Sequence, residues 1–60
     1  MALTRYLRIR EVVHVTGLSR TVVYDLVKRG EFPAQKRLSK GAVGWLSTDV
    51  EAWMQSRELA

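Results

Sequence analysis

Four residues, Thr16-Gly17-Leu18-Ser19, constrain this chain more than any others. They separate two short apolar stripes of helical period. Ile9, Val12 and Val13 ahead of them and Thr16, the first of the four, fall at i, i+3, i+4 and i+7, the spacing of one helix face. Behind them Val23, Leu26 and Val27 line a second face, with Val22 at its edge. Gly17 stands where a helix commonly ends in the left-handed region. Ser19 is a good N-cap for the helix that follows. Two short helices joined through so tight a turn meet steeply, and that is the signature of a helix-turn-helix. Ile9, Val12, Leu18, Val23 and Leu26 have the spacing to point inward from both helices. Val13 is larger than the small residue this crossing prefers, which predicts a slightly wider approach.

The first helix is expected to begin near Arg10, and the second to run from about Arg20 to Arg29. Lys28 and Arg29 then occupy its last turn, where cations suit the helix dipole. Gly30 closes it, and Phe32-Pro33 resists continuation because the residue before proline avoids the helical region. Upstream, "RYLRI" reads as a short strand or an extended arm, and Met1 to Thr4 as a frayed end. Downstream, "QKRL" and "VGWL" flank the glycine-containing turn "SKGA", which predicts a β-hairpin over about 34–47. Gly44 weakens the second strand and lets another backbone come close.

Thr48 followed by Glu51 fits a capping box that opens a third helix over about 48–58. Val50, Trp53, Met54 and Arg57 share one stripe, whose apolar members face the core. Asp49 and Glu51 favour that helix's N-terminus. Trp45 and Trp53 read as core residues rather than base-stacking ones, and such rings fill much of a small interior. Phe32 and Leu38 are expected beside them. Tyr6 is open between edge packing and exposure. There is no repeat, linker or low-complexity tract. The expected fold class is mainly α with a small β-hairpin. It is a winged helix-turn-helix of three helices plus wing, one domain over 1–60 with the helix-turn-helix at about 9–30.

Size and composition exclude several classes of function. A 60-residue chain buries only about 60% of its unfolded surface and has no room for an enzyme-sized cleft. Cysteine is absent, so there is neither a disulfide framework nor a thiolate metal site, which fits a reducing cytosol. His14, the only histidine, has no second ligand near it in sequence, belongs on the exposed side of the first helix, and predicts no metal. No serine, histidine and carboxylate set suggests nucleophilic catalysis; the chain reads as no enzyme and needs no cofactor. No stretch approaches the roughly 18 apolar residues of a membrane span, and the N-terminus lacks a signal-peptide pattern. A soluble, cytoplasmic protein with no membrane partner is expected.

Charge points to a polyanion. Lys+Arg number 10 against 6 Asp+Glu, a formal net charge of +4, and the pI is about 10.1. Residues 1–40 hold a balance of +6 and residues 41–60 a balance of −2. Small basic domains are drawn to polyanions such as nucleic acid or an acidic membrane. If Val23, Leu26 and Val27 point inward, then Arg20, Thr21, Tyr24 and Lys28 share the outer face, with Asp25 beside them. An α-helix fits the B-DNA major groove with its N-terminal residues at the base edges. Arg20 suits guanine O6/N7. Ser19, Thr21, Tyr24 and Lys28 suit phosphates, which set register. Asp25 has three possible roles: accepting from cytosine N4, holding Arg20 or Arg29, or lying to one side. Lys36, Arg37 and Lys40, placed at or near the hairpin tip, form a wing that grips flanking backbone. The expected partner is double-stranded DNA. With no heptad pattern for a coiled coil, further copies would meet on adjacent sites.

The segments "REV", "TGLSRTVVY", "GEFP", "AVGWL" and "DVEAWM" together resemble the AlpA family of small phage and prophage regulators. That family is itself similar to the DNA-binding part of MerR-type and excisionase-type winged helices. The likeness spans about residues 8 to 57; the combination is specific, while each piece alone is weak. It implies a DNA-binding transcriptional regulator, often tied to mobile-element excision. Carried over by position, it implies helix contacts from Ser19, Arg20, Thr21 and Tyr24 and wing contacts from Lys36, Arg37 and Lys40. Relatives vary at Lys40-Gly41-Ala42. A recombination directionality factor uses the same helix and wing. A protein-interaction module, such as an antirepressor acting through the acidic-apolar third helix, is the rival of another class.

Overall fold

The computed structural model describes residues 4–57. Met1 to Leu3, and the last residue expected in the third helix, Glu58, lie outside them. The elements run β1 (Tyr6–Leu7), α1 (Ile9–Thr16), α2 (Arg20–Lys28), β2 (Lys36–Ser39), β3 (Ala42–Leu46) and α3 (Ser47–Gln55). Three helices and a small antiparallel sheet make the expected winged helix-turn-helix, and "RYLRI" contributes a strand.

The corner between α1 and α2 forms as its sequence dictates. Gly17 adopts φ 77° and donates its N–H to the Val13 carbonyl. Thr16 serves as a polar pin. Its hydroxyl donates to the Val12 carbonyl at 2.7 Å and accepts from the Leu18 N–H at 3.2 Å. Ser19 Oγ accepts from Val22 N–H at 3.1 Å, satisfying one of the free donors at the start of α2. Val12 and Val23 are fully buried beneath the corner.

α2 ends in a Schellman arrangement: the Glu31 N–H bonds the Leu26 carbonyl and the Gly30 N–H bonds the Val27 carbonyl. α1 starts at Ile9, one residue before the expected position. Glu11 secures that start by accepting from the Arg8 N–H at 3.1 Å.

The sheet order is β1-β3-β2. Tyr6 pairs with Leu46 and Leu7 with Trp45, so the N-terminal arm becomes a strand flanking the hairpin. On the other edge Lys36 pairs with Gly44 and Arg37 with Val43. A register shift between Arg37 and Ser39 makes Leu38 the extra residue of a bulge. A Cβ on Gly44 would lie 2.9 Å from both the Leu7 carbonyl oxygen and Leu38 Cδ1. The glycine thus allows the close backbone approach expected of it.

Leu7, Val12, Val23, Phe32, Trp45 and Val50 form the buried core. Both indoles also reach back to the segment leaving α2. Trp45 Nε1 donates to the Pro33 carbonyl and Trp53 Nε1 to the Glu31 carbonyl, each at 2.8 Å. Phe32 lies edge-on between them, 6.4 Å from the Trp45 ring and 4.7 Å from the Trp53 ring. The chain between α2 and the hairpin is therefore anchored at both carbonyls and at the ring between them.

Three expectations need correction. The Thr48–Glu51 capping box does not form: α3 opens at Ser47 with Leu46 in the N-cap position and no side-chain cap. The arm supplies the partner instead. Ser47 N–H donates to the Arg5 carbonyl at 2.7 Å, and Ser47 Oγ accepts from Arg5 N–H. Leu38 lies on the exposed edge strand rather than in the core. Met54 is 39% exposed, because Val50 and Trp53 fill the contact and leave it on the flank.

Candidate nucleic-acid interface

The outward flank of α2 is where periodicity put it. Ser19, Arg20, Thr21, Tyr24 and Lys28 are all exposed. Tyr24 differs from a free surface residue. Its ring centroid lies 6.0 Å from that of Trp45 at a 55° tilt, so the core aromatic supports one side of it. Asp25 takes one of its three expected roles, holding Arg29 through a 2.9 Å ion pair across one helical turn.

The hairpin divides its charges between the turn and the strand before it. Lys40 sits in the turn with Gly41, beyond the Ser39–Ala42 pair. Lys36 and Arg37 lie in the body of β2, not at the tip. Neighbouring residues of a strand point to opposite faces, so one duplex surface favours one of these two over the other.

A cleft runs between the start of α1, the first turns of α2 and the hairpin. It is lined by Arg8 and Arg10, by Arg20 and Tyr24, and by Gly41 and Val43. The sequence reading brought Arg20 and Tyr24 here but missed Arg8 and Arg10. The arginine spacing in "RIR" was the available signal. Ser19, Thr21, Lys28, Lys36, Arg37 and Lys40 lie outside this cleft lining.

Electrostatics sharpen the picture. Arg5 pairs with Glu11 at 2.8 Å. The Arg8 backbone N–H, followed by the Arg5 guanidinium, holds the Glu11 carboxyl below its usual value of 4.5. Together with Asp25–Arg29, this uses the acids of both helices. Among the described residues, Arg8, Arg10 and Arg20 have no ion-pair partner. Arg57 faces elsewhere: its guanidinium lies 4.4 Å over the Trp53 ring.

A family model described as "Prophage CP4-57 regulatory protein (AlpA)" matches residues 5–58. The chain belongs to the AlpA family. The match covers every element from β1 to α3, and the family is one of prophage regulators. An AlpA relative by sequence, "Uncharacterized protein ORF88" of Enterobacteria phage P4, is 49% identical over 53 residues, 88% of this chain. The chain spans 60% of that protein's length. No solved structure matches the chain. Among the described residues of this AlpA domain no helix is long and apolar enough to cross a membrane.

Proposed function

We propose that this AlpA-family chain binds double-stranded DNA at a specific site and regulates transcription of prophage or mobile-element excision genes. The single observation that carries the reading is the basic rim around α2. The Gly17 corner turns the helix outward, and Arg20, Thr21 and Lys28 are exposed on it beside a hairpin with Lys40 in its turn. A helix of this kind enters the major groove, with Arg20 directed to a guanine edge. Ser19, Thr21, Tyr24 and Lys28 hold phosphates and set the register. Lys40 extends the contact from the hairpin, with Lys36 or Arg37 behind it. No cofactor enters this scheme.

One recognition helix reads a short half-site, and high specificity comes from pairing sites. Further copies of the chain are therefore placed on adjacent sites. An excisionase-type role would use the same surface and would differ in bending the duplex.

The test is fluorescence anisotropy on a random-sequence duplex across salt concentrations. A domain neutralising several phosphates loses affinity with a log-log slope of about −0.9 per phosphate. A flat salt response rejects the reading in favour of a protein-interaction module. Selection from a random duplex pool then gives the site.

A further inference from the structure

The geometry points to a phosphodiester seat at the start of α1: Arg8, which precedes the helix, and Arg10 in its first turn grip the duplex backbone where it passes between α2 and the hairpin. This rests on the duplex-binding reading above and adds a third contact element to it.

Three observations converge. First, the two arginines line the same cleft as Arg20 and Tyr24 of α2 and Gly41 of the hairpin turn. The cleft is the ground between the two elements assigned to DNA. A strand contacted by both must cross it.

Second, the cleft concentrates uncompensated charge. Glu11 is committed to Arg5, with its other oxygen on the Arg8 backbone N–H. It lies close enough to feel the Arg8 charge but makes no ion pair with that guanidinium among the described residues. Asp25 is committed to Arg29. Three exposed guanidinium groups around one concavity repel one another until an anion sits among them. Arginine presents a planar fork that matches phosphate oxygens bidentately.

Third, among the described residues no hydrogen bond or ion pair ties either arginine side chain to the fold. Both are exposed. Among the described residues neither guanidinium makes a hydrogen bond, whereas the Arg57 guanidinium packs on Trp53 and its Nε bonds the Trp53 carbonyl. Tyr24 lines the α2 side of the same cleft, and a phenol can donate a hydrogen bond to a phosphate oxygen.

The experiment compares the intact chain with Arg8→Gln, Arg10→Gln and the double variant on one duplex, by anisotropy across salt. Thermal melts verify that each variant stays folded. Each single change is expected to lower the salt slope by about one unit and the double change by about two. For the double variant this removes roughly tenfold of the affinity change between 50 and 200 mM salt. Preference among duplex sequences stays as in the parent. Arg10→Lys, which keeps the charge, retains most of the slope.

Steep salt dependence in the parent with unchanged slopes in the variants overturns the seat and leaves duplex binding intact. A parent with no salt-dependent duplex binding overturns both. A final arm replaces chloride by inorganic phosphate at equal ionic strength. A backbone seat keeps the difference between parent and variants. A difference that appears only in phosphate would assign the cleft to free phosphate ions and overturn the backbone assignment.

Discussion

The Trp45 indole N–H and the Pro33 carbonyl meet at 2.8 Å, joining the middle strand of the sheet to the segment that leaves α2. This bond helps set where the hairpin stands relative to α2. Trp45 is fully buried, and Tyr24 rests against its other side. One side chain therefore links the core, the hairpin anchor and a residue of the candidate interface.

Trp45→Phe tests that linkage. The phenyl ring keeps much of the apolar volume but leaves the Pro33 carbonyl without its donor. Loss of such a partner costs about 1–3 kcal/mol. In a domain of this size each kcal/mol lowers Tm by roughly 4–8 °C. A melt followed by circular dichroism should show the drop. Duplex affinity should fall further than stability alone accounts for, as hairpin and helix lose their fixed spacing.

Gly44→Ala should be destabilising by about 1–3 kcal/mol, the usual cost of forcing extra volume into a packed site. The added Cβ would meet the Leu7 carbonyl at 2.9 Å, and a backbone atom cannot swing aside as Leu38 can. Gly17→Ala is a contrasting control. Its Cβ would meet nothing within 4 Å, yet φ stays at +77°, which costs a β-carbon roughly 1–2 kcal/mol. Gly17→Asn should recover part of that loss, because asparagine tolerates the left-handed region, whereas Gly44→Asn should recover none. Urea denaturation of the four variants separates the two causes.

These glycines also mark how far the sequence was readable. Gly17 and Ser19 act on their immediate neighbours, so the corner, both helices and the exposed flank of α2 follow from spacing alone. The indole bonds to Pro33 and Glu31 span 12 and 22 residues and leave no periodic trace. Their places on a hairpin strand and a helix face mark Trp45 as core and Trp53 as packed against it, without revealing that they anchor the chain between helix and hairpin. The capping spacing misled at Thr48–Glu51 because a distant backbone, Arg5, reached Ser47 first. The same three-residue reach did operate at Arg8–Glu11, without a serine or threonine to announce it. Helical spacing singles out the outward flank of α2 but not Arg8 and Arg10, and only the folded arrangement shows them lining one cleft with Arg20.

Glu11 gives the start of α1 a pH signature. Its folded carboxyl is held below the usual value of 4.5 by the Arg8 N–H and by Arg5. The ionised form is favoured on folding, so its contribution is fully present above the ordinary carboxylate range. It is lost as pH falls below 4.5 through the lowered folded value. Glu11→Gln should lower Tm at pH 7 and narrow the gap to the parent as pH approaches 3. A gap that persists unchanged into acid would show that the charge of Glu11 contributes nothing. The group is exposed, so the effect should shrink in high salt.

Arg20→Ala and Lys40→Ala separate reading from gripping. Arg20 sits in the first turn of α2, exposed, and among the described residues its guanidinium makes no hydrogen bond or ion pair. Its removal should leave the fold intact. If it pairs with a guanine edge, discrimination at one base position falls by about 1–3 kcal/mol. Lys40 stands in the hairpin turn, distant in sequence from α2. A single phosphate contact there predicts affinity weakened about equally on all sequences and a salt slope reduced by about one unit. Anisotropy on matched and single-substituted duplexes gives both quantities for both variants. Lost discrimination with Lys40→Ala would move sequence reading onto the hairpin. A uniform loss with Arg20→Ala would instead place Arg20 with Arg8 and Arg10 on the backbone, leaving base recognition to the next outward residues, Thr21 and Lys28.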